Sequence, residues 1–219
     1  MLKAESLSYR YDNSVNNIFE ELSFDFHKRN LIHIKGLNGT GKSTLFYCLC
    51  GFSGHYLNGE MNGRILLNNQ ELDSIEIKDK IQSINLLFQN PSLQMCFSRI
   101  YEDVFYLLRQ CNRMDDAKMQ EFMEYLDLFR IKIDRNATKD ELSWGQKKLI
   151  CLISILLSNP QVYLLDEPFS GISDGDREVI RGILYQKRME NRLILVSDHS
   201  GFEMDYNQEL NMGEYAVFR

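Results

Sequence analysis

Residues 36–44 read Gly36-Leu37-Asn38-Gly39-Thr40-Gly41-Lys42-Ser43-Thr44, and this loop indicates the fold more strongly than any other part of the chain. Its spacing is the phosphate-binding pattern G-x-x-x-x-G-K-[ST]. Glycines let the backbone bend until successive N–H groups converge on an anion, and the positive end of a following helix strengthens the site. The pattern predicts that Lys42 reaches the terminal phosphates and that the Ser43 hydroxyl binds Mg²⁺.

The segments on either side of the loop support this prediction. Residues 31–35 form a short apolar run typical of a strand, and residues 43–50 read as a helix that ends at Gly51. A glycine-rich turn between a strand and a helix can also exist without a ligand. Strand, loop and helix in this order are the context that the pattern requires, so we predict a nucleotide site.

The composition of the chain is that of an ordinary globular protein. It has 219 residues, of which 44% are hydrophobic, and a formal net charge of −6. This acidic balance gives no support for a nucleic-acid surface. No apolar run approaches the roughly 18 residues of a membrane span, and the N-terminus lacks a signal-peptide core. The five scattered cysteines argue against a disulfide framework and are expected to be buried, reduced thiols in a cytosolic protein.

Strand-like and helix-like segments alternate along the chain. Expected strands cover residues 5–11, 22–26, 31–35, 61–67, 84–88, 162–165 and 193–196, and expected helices cover residues 43–50, 101–110, 116–128, 146–157 and 176–189. This alternation predicts a parallel sheet that is covered on both faces. Residues from about 92 to 158 form a predicted helical insertion, in which Met119, Phe122 and Met123 are expected to face a core.

Two carboxylates follow the apolar run at residues 162–165. Asp166 and Glu167 lie where a parallel strand is expected to end, which is the edge at which α/β sheets bind ligands. An Asp in this position helps to hold Mg²⁺ in phosphate-loop ATPases, and the adjacent Glu167 is placed to orient or deprotonate water. A simple strand cap is the alternative, and it would be preferred if the phosphate loop were absent.

Four further motifs accompany the phosphate loop and the two carboxylates. They are Leu142-Ser143-Trp144-Gly145-Gln146-Lys147-Lys148, then Gln89 within Leu87-Phe88-Gln89-Asn90-Pro91, His199 after the last buried strand, and Tyr11. Each has a structural explanation when taken singly; Ser143, for example, could be only a helix N-cap. In this order and at this spacing, together with the phosphate loop and Asp166-Glu167, they resemble the nucleotide-binding subunit of ABC transporters over almost the whole chain.

The resemblance implies a fold, cofactors and residue roles. The fold is α/β, with a P-loop NTPase parallel-sheet core, an N-terminal antiparallel β subdomain and an inserted α-helical subdomain, in a single domain over residues 1–219. The cofactors are ATP and Mg²⁺. The implied nucleotide-binding residues are loop 36–44, Tyr11 (against adenine, with Tyr9 less suited), Ser143, Gly145 and Gln146. The implied catalytic residues are Glu167, His199 and Gln89, and the implied metal ligands are Ser43, Gln89 and Asp166.

The resemblance also implies partners. In this family two cassettes bind head to tail with two ATP molecules between them, so that Ser143 and Gly145 of one subunit face the γ-phosphate held by Lys42 of the other. The second cassette is either another copy of this chain or a paralogue. A transmembrane subunit would hold the pair on the cytoplasmic face of the membrane, and neither nucleic acid nor direct membrane insertion is implied.

Two positions depart from the family pattern. Trp144 occupies the third signature position, which is often glycine but varies in the family. Ser173 replaces the aspartate of the usual Ser-Gly-Leu-Asp, and Asp174 comes one place later. The second departure concerns the communication between the two ATP sites. It removes no catalytic group, because Glu167 and His199 are both present.

Residues 88–94 and 100–104 point to one subfamily. Phe-Gln-Asn-Pro-x-x-Gln, followed by Glu102-Asp103-Val104, resembles energy-coupling-factor and cobalt or nickel importer ATPases, which import vitamins or metal ions. The segment corresponds to the surface that meets the membrane subunit. The alternatives are an exporter or antimicrobial-peptide resistance ATPase, a soluble ATPase acting on ribosomes or chromosomes, and a non-catalytic ATP-binding module.

Overall fold

The computed structural model describes residues 1–52, 57–199 and 201–217. Its strands are β1 (Leu2–Tyr11), β2 (Phe19–Phe26), β3 (Leu31–Lys35), β4 (Gly59–Leu67), β5 (Gln70–Glu71), β6 (Ile84–Leu87), β7 (Val162–Asp166), β8 (Leu193–Ser197) and β9 (Gln208–Asn211). Its α-helices are α1 (Lys42–Leu49), α2 (Ile77–Ser83), α3 (Ile100–Gln110), α4 (Asp116–Leu128), α5 (Trp144–Ser158) and α6 (Asp174–Met189).

A parallel sheet lies at the centre of the molecule, with the strand order β6-β7-β8-β3-β9. Strands β7 and β8 are buried along their whole length, which explains why their sequences are unbroken apolar runs. Parallel strands end at one edge of a sheet. The loops that follow Lys35, Asp166 and Ser197 therefore meet at this edge.

The two faces of the parallel sheet belong to two apolar cores. Leu165 and Val196 pack into a core with the helices α3 to α6, whereas Leu164 and Leu195 pack into a second core with α1 and an antiparallel sheet. The change of face from one residue to the next is the period of a strand. The expected α/β fold, with a parallel-sheet core, an N-terminal antiparallel β subdomain and an inserted helical subdomain, is confirmed.

The antiparallel sheet has the order β2-β1-β4-β5. Strand β1 pairs with β2 and β4 on either side, so that Leu2 lies opposite Phe26 and Leu67. Pairing is irregular near Ser6, which has φ 46°, and Gly63, which has φ 86°. A Cβ at residue 63 would lie 2.5 Å from a carbonyl oxygen of β1, so glycine is required there.

Phe122 of α4 lies at the centre of the packing in the helical insertion, and its side chain is fully buried. Its ring meets the rings of Tyr101 and Phe105 edge-on, at centroid distances of 5.3 and 5.7 Å. These residues pack in the same core as the buried strands β7 and β8. The helices and the sheet thus share one continuous apolar core.

Some sequence-based expectations are wrong. Met123 was expected in the core but is 40% exposed, because the residue after Phe122 is turned about 100° away from the buried stripe of α4. Cys96 is exposed and Cys50 is only partly buried, whereas the other three thiols are buried. Helix α2 and the strands β5 and β9 were not expected. In the ranges that the structure describes, no helix has the length and apolar character needed to cross a bilayer.

Candidate nucleotide-binding site

The loop between β3 and α1 forms a tight cradle. Its three glycines have positive φ values of 151° at Gly36, 84° at Gly39 and 92° at Gly41, which side chains other than glycine rarely adopt. Thr40 closes the loop by donating its hydroxyl to the carbonyl of Leu37 at 2.9 Å. The helix α1 begins directly after Gly41, so its free N–H groups face the loop.

Lys42 folds back over this loop. Its Nζ donates to the carbonyl oxygens of Gly36 and Leu37, both at 2.9 Å. Burial lowers the pKa of the amine, and this is opposed by the negative charges of Asp166 and Glu167. The arrangement places a cation beside converging N–H groups, which fits a phosphate chain.

Alanine variants at Gly41 and Gly39 test how closely the phosphate loop packs on its neighbours. A Cβ at residue 41 would lie 2.5 Å from the side chain of Ile18, whereas nothing lies within 4 Å of a Cβ at residue 39. Both alanine variants share the backbone strain, so Gly41→Ala should lose about 1–3 kcal/mol more stability than Gly39→Ala. Chemical denaturation of both variants measures the difference. Equal losses would contradict the close packing at Gly41.

Asp166 at the end of β7 joins the phosphate loop to the sheet. Its Oδ2 accepts a hydrogen bond from the Ser43 hydroxyl at 2.5 Å, and its Oδ1 accepts one from the Ser197 hydroxyl. A hydroxyl beside a buried carboxylate offers the oxygen ligands that Mg²⁺ prefers. Among the described residues, no group of three or more His, Cys, Asp or Glu side chains could hold a metal. One carboxylate suffices for Mg²⁺, which takes its other ligands from substrate phosphates and water.

Glu167 is held in a left-handed backbone conformation, with φ 51°. Its N–H donates to the carbonyl of Ser197 at 2.9 Å, and its own carbonyl accepts from Lys148 Nζ. A non-glycine residue in this region is strained, and such residues cluster at functional sites. Glu167 is half-buried and comes directly after Asp166, the last residue of β7.

Tyr11 lies beside the first turn of α1. Its hydroxyl is 2.8 Å from the hydroxyl of Thr44, and its ring is half-buried. Tyr9 is fully buried and meets the ring of Tyr11 edge-on at 5.1 Å. Of the two tyrosines, Tyr11 alone has an accessible ring next to the phosphate loop.

The signature residues begin helix α5. Ser143 is its N-cap: the Ser143 Oγ accepts from the N–H of Gln146 at 3.2 Å, and the Gln146 side chain accepts from the N–H of Ser143 at 2.9 Å. Gly145 packs closely on Gly171, since a Cβ there would lie 2.7 Å from the Gly171 carbonyl. Over the described parts of the chain, no hydrogen bond or ion pair joins residues 143–146 to residues 36–44.

Gln89 and His199 are exposed at the sheet edge that carries Asp166. Gln89 follows β6 by two residues, and its carbonyl accepts from Lys148 Nζ at 3.4 Å. His199 follows β8 by two residues. The loops that carry both side chains leave the edge where the phosphate loop begins.

Two polar residues of the site were missed by the sequence analysis. Ser197 binds Asp166, and its position at the end of a buried strand before Asp198-His199 was the available signal. Lys148 was quoted at the end of the signature stretch but was given no role, although a lysine at the start of an apolar helical run is itself unusual. Burial lowers the pKa of Lys148 to about 8, against the attraction of Glu167 and Asp166.

A phosphate loop after the first strand of the core, with a serine bound to a carboxylate at the end of a neighbouring strand, defines a P-loop nucleoside-triphosphate-binding domain. The family model described as ABC transporter matches residues 19–170, more than half of the chain. The chain therefore belongs to the ABC transporter family. It is an ABC ATPase domain, whose cofactors are ATP and Mg²⁺.

Named relatives agree with this assignment. A Clostridium tetani protein, provisionally named ABC transporter ATP-binding protein, is 28% identical over 211 residues, covering 96% of this chain and 46% of its own length. The cbiO1 structure from Clostridium perfringens, titled as part of the ABC transporter complex cbiONQ, is 27% identical with a TM-score of 0.68, covering 91% of this chain and 78% of that chain.

A third comparison concerns the fold alone. The ATP-binding cassette MJ0796, in a dimeric post-hydrolysis structure bound to ADP and Pi, has a TM-score of 0.76 at 18% identity, covering 91% of this chain and 88% of that chain. The chain spans less than half the length of the first curated relatives that it matches.

Proposed function

We propose that this chain hydrolyses ATP as the motor domain of an ABC importer for a small solute, a vitamin or a transition-metal ion. The hydrolytic part of this proposal rests on the hydrogen bond of 2.5 Å that the Ser43 hydroxyl donates to the Asp166 carboxylate. Glu167 is the next residue in the chain. The contact between Ser43 and Asp166 supports a site in which a phosphate loop, a magnesium ligand set and a candidate base share one edge of the sheet. Phosphate release by Glu167→Gln, compared with that of the wild type, tests the hydrolytic part of the proposal.

The chain's own residues supply each part of the proposed reaction. The loop N–H groups and Lys42 hold the phosphates, and Ser43, Asp166 and Gln89 offer ligands for Mg²⁺, which when bound neutralises phosphate charge. Glu167 takes a proton from water as the water oxygen bonds to the γ-phosphorus and the bond to the bridging oxygen breaks. His199 donates a hydrogen bond to the γ-phosphate, and Tyr11 packs against the adenine.

The signature residues are proposed to act on the nucleotide of a second cassette. Ser143 is exposed at the N-terminal end of α5, where a helix end attracts anions. Its separation from loop 36–44 within one chain supports contact between subunits, with Gly145 and Gln146 beside it. MJ0796, which shares the fold, is dimeric in its solved structure. The second cassette is another copy of this chain or a paralogue.

The importer assignment rests on the segment around Gln94, which shapes a groove. The Gln94 side chain accepts from the N–H of Phe88 at 3.1 Å, and the Asp103 carboxylate accepts from the N–H groups of Cys96 and Phe97, both at 2.9 Å. Two residues of the importer-like pattern thus fix the loop between β6 and α3. The cbiO1 relative, which belongs to a transporter complex, supports the same subfamily.

The groove beside this loop is the proposed docking surface for a membrane subunit. It encloses about 730 Å³, and its wall includes Phe52, Phe88 and Tyr106. Ile77 in this wall is 60% exposed, and Leu93, which precedes the wall residue Gln94 in the chain, is 69% exposed. A cluster of exposed apolar side chains around a concave surface is typical of a protein-binding site. Docking here would hold the chain on the cytoplasmic face of the membrane, with residues 1–219 as one domain.

Leu93→Glu tests this surface. A charge in a buried apolar contact should lower recovery of the membrane partner with the tagged chain about tenfold, while ATP hydrolysis by the isolated chain stays unchanged. The measurement is co-purification from solubilised membranes of the native host. Met189→Glu is the control, since Met189 is 71% exposed on α6, outside the groove. Equal recovery of the partner with Leu93→Glu and the wild type would contradict docking at the groove.

An exporter is the second candidate function, since the names of the relatives do not specify a direction of transport. Uptake distinguishes the two. Membrane vesicles whose purified complex carries the motor domain on the lumenal side, with ATP in the lumen, should accumulate radiolabelled vitamin, Co²⁺ or Ni²⁺. Export of a peptide under the same conditions, with no uptake, would reject the importer and leave the ATPase assignment intact.

A further inference from the structure

Helix α5 carries a buried lysine whose place in the reaction is not assigned by any of the family motifs above. Lys148 is 1% exposed, and it lies five residues after Ser143 on the same helix. Burying an ammonium group is costly unless its hydrogen-bonding capacity is used. Within the described residues, no ion pair of 4 Å or less forms at Lys148, so the attraction of the more distant charges of Glu167 and Asp166 is supplemented by hydrogen-bond contacts with uncharged groups.

Those contacts are two backbone carbonyls of the catalytic loops. Lys148 Nζ donates to the carbonyl of Glu167 and, at 3.4 Å, to the carbonyl of Gln89. The first carbonyl belongs to a residue with a left-handed backbone at φ 51°. On the other side, the N–H of Glu167 is held by Ser197 at 2.9 Å. The strained peptide of Glu167 is therefore fixed at both ends, once by β8 and once by α5.

The exposed ring of Trp144 packs on the buried amine of Lys148. Its ring centroid lies 4.7 Å from Lys148 Nζ, within the range of a cation–π contact. The same ring packs on Gly171, where a Cβ would lie 2.5 Å from an atom of the indole. The residue that departs from glycine in the signature thus shields the amine and connects it to the loop after Glu167.

We propose that Lys148 is a positioning residue that holds the backbone of Glu167, and with it the direction of the Glu167 carboxylate, against the signature helix. It also holds the Gln89 loop against that helix through the second carbonyl. This inference rests on the proposed role of Glu167 in hydrolysis. Trp144 supports it by keeping water away from the amine, which strengthens the two carbonyl bonds.

Lys148→Met tests the proposal, because methionine fills similar space without donating a hydrogen bond. With the Glu167 peptide released, we expect kcat for ATP hydrolysis to fall about 10- to 100-fold. The KM for ATP and the dissociation constant of a fluorescent ATP analogue should change less than about threefold, since the phosphate loop is untouched. Lys148→Arg, which can donate to both carbonyls, should recover a substantial part of kcat.

Lys139→Met is the matched control. Lys139 Nζ also donates to a backbone carbonyl, that of Met95 at 2.9 Å, but outside the catalytic loops. Its removal should leave kcat unchanged. A fall of kcat with Lys139→Met equal to that with Lys148→Met, or a change confined to KM, would overturn the positioning role, as would an unchanged kcat in Lys148→Met.

Hydrogen exchange separates this inference from the proposed function. In the nucleotide-free chain, Lys148→Met should raise amide exchange across residues 166–171 and leave residues 31–35 protected, whereas Lys139→Met should do neither. Exchange that is unchanged at 166–171, or raised equally everywhere, rejects the anchoring of Glu167. A wild-type chain that hydrolyses no ATP would reject the proposed function, and the exchange result would still decide whether Lys148 holds Glu167.

Discussion

Glu167→Gln abolishes ATP turnover and lets ATP accumulate in a stable dimer; this is the largest effect that we expect. The amide cannot accept the proton of the attacking water, and a general base contributes about 10²- to 10⁴-fold to such a reaction. The phosphate loop, Ser43 and Asp166 are unchanged, so ATP binding remains. Phosphate release measures turnover, and light scattering with ATP and Mg²⁺ measures the dimer.

The control for this variant is Glu21→Gln, which makes the same substitution at an exposed position of β2. It should hydrolyse ATP at the wild-type rate. A Glu167→Gln chain that released phosphate as fast as the wild type would contradict the role of Glu167 as base. The reaction would then require a different group to accept the proton, and Lys148 would have no carboxylate to position.

Ser143→Arg should prevent the ATP-induced dimer. The larger cationic side chain would fill the space in front of the α5 helix end, where the partner's γ-phosphate is proposed to bind, and would remove the hydroxyl donor. A central interface residue of this kind is worth about 2 kcal/mol or more, or roughly a 30-fold weaker dimer. Light scattering with ATP and Mg²⁺ checks the result.

Ser143 also caps α5, so the loss of the cap must be separated from the loss of the phosphate contact. Ser143→Ala removes the cap at a cost of about 1 kcal/mol in stability, as does the arginine variant. The two should therefore unfold at similar denaturant concentrations, with the arginine variant weaker in dimerisation. Normal dimers with Ser143→Arg would show that the signature does not face a second nucleotide.

Much of the fold could be predicted from the sequence, because its strongest signals are local. Residues 31–35 and 116–128 were predicted with the bounds that the structure has, since an apolar run and a helical periodicity need no distant partner. Helix α2 is short and has no buried residue, and β9 holds one buried residue at the edge of the sheet. Helix α2 offers only Ile77 and Ile81 at helical spacing and β9 only Leu210, so neither pattern is long enough to detect.

The motif set also came from local spacing, and it led to the family that the comparisons then showed. The local spacing of the motifs did not show which side chains face the core. Met123 was assigned to the core with its neighbour Phe122, yet the buried stripe of α4 is narrow and holds Phe122 and Leu126, four residues apart.

The sequence by itself determined the phosphate loop, because the positive φ values at Gly36, Gly39 and Gly41 are a property of glycine at fixed spacing. Only the tertiary structure decided which groups meet that loop. Ser43 and Asp166 are 123 residues apart in the chain, and the parallel order of β3, β8 and β7 brings them within 2.5 Å. The contact between Lys148 and Glu167 is also a result of the tertiary structure. Lys148 donates to the carbonyl groups that the fold brings near it, and the local sequence does not specify which these are.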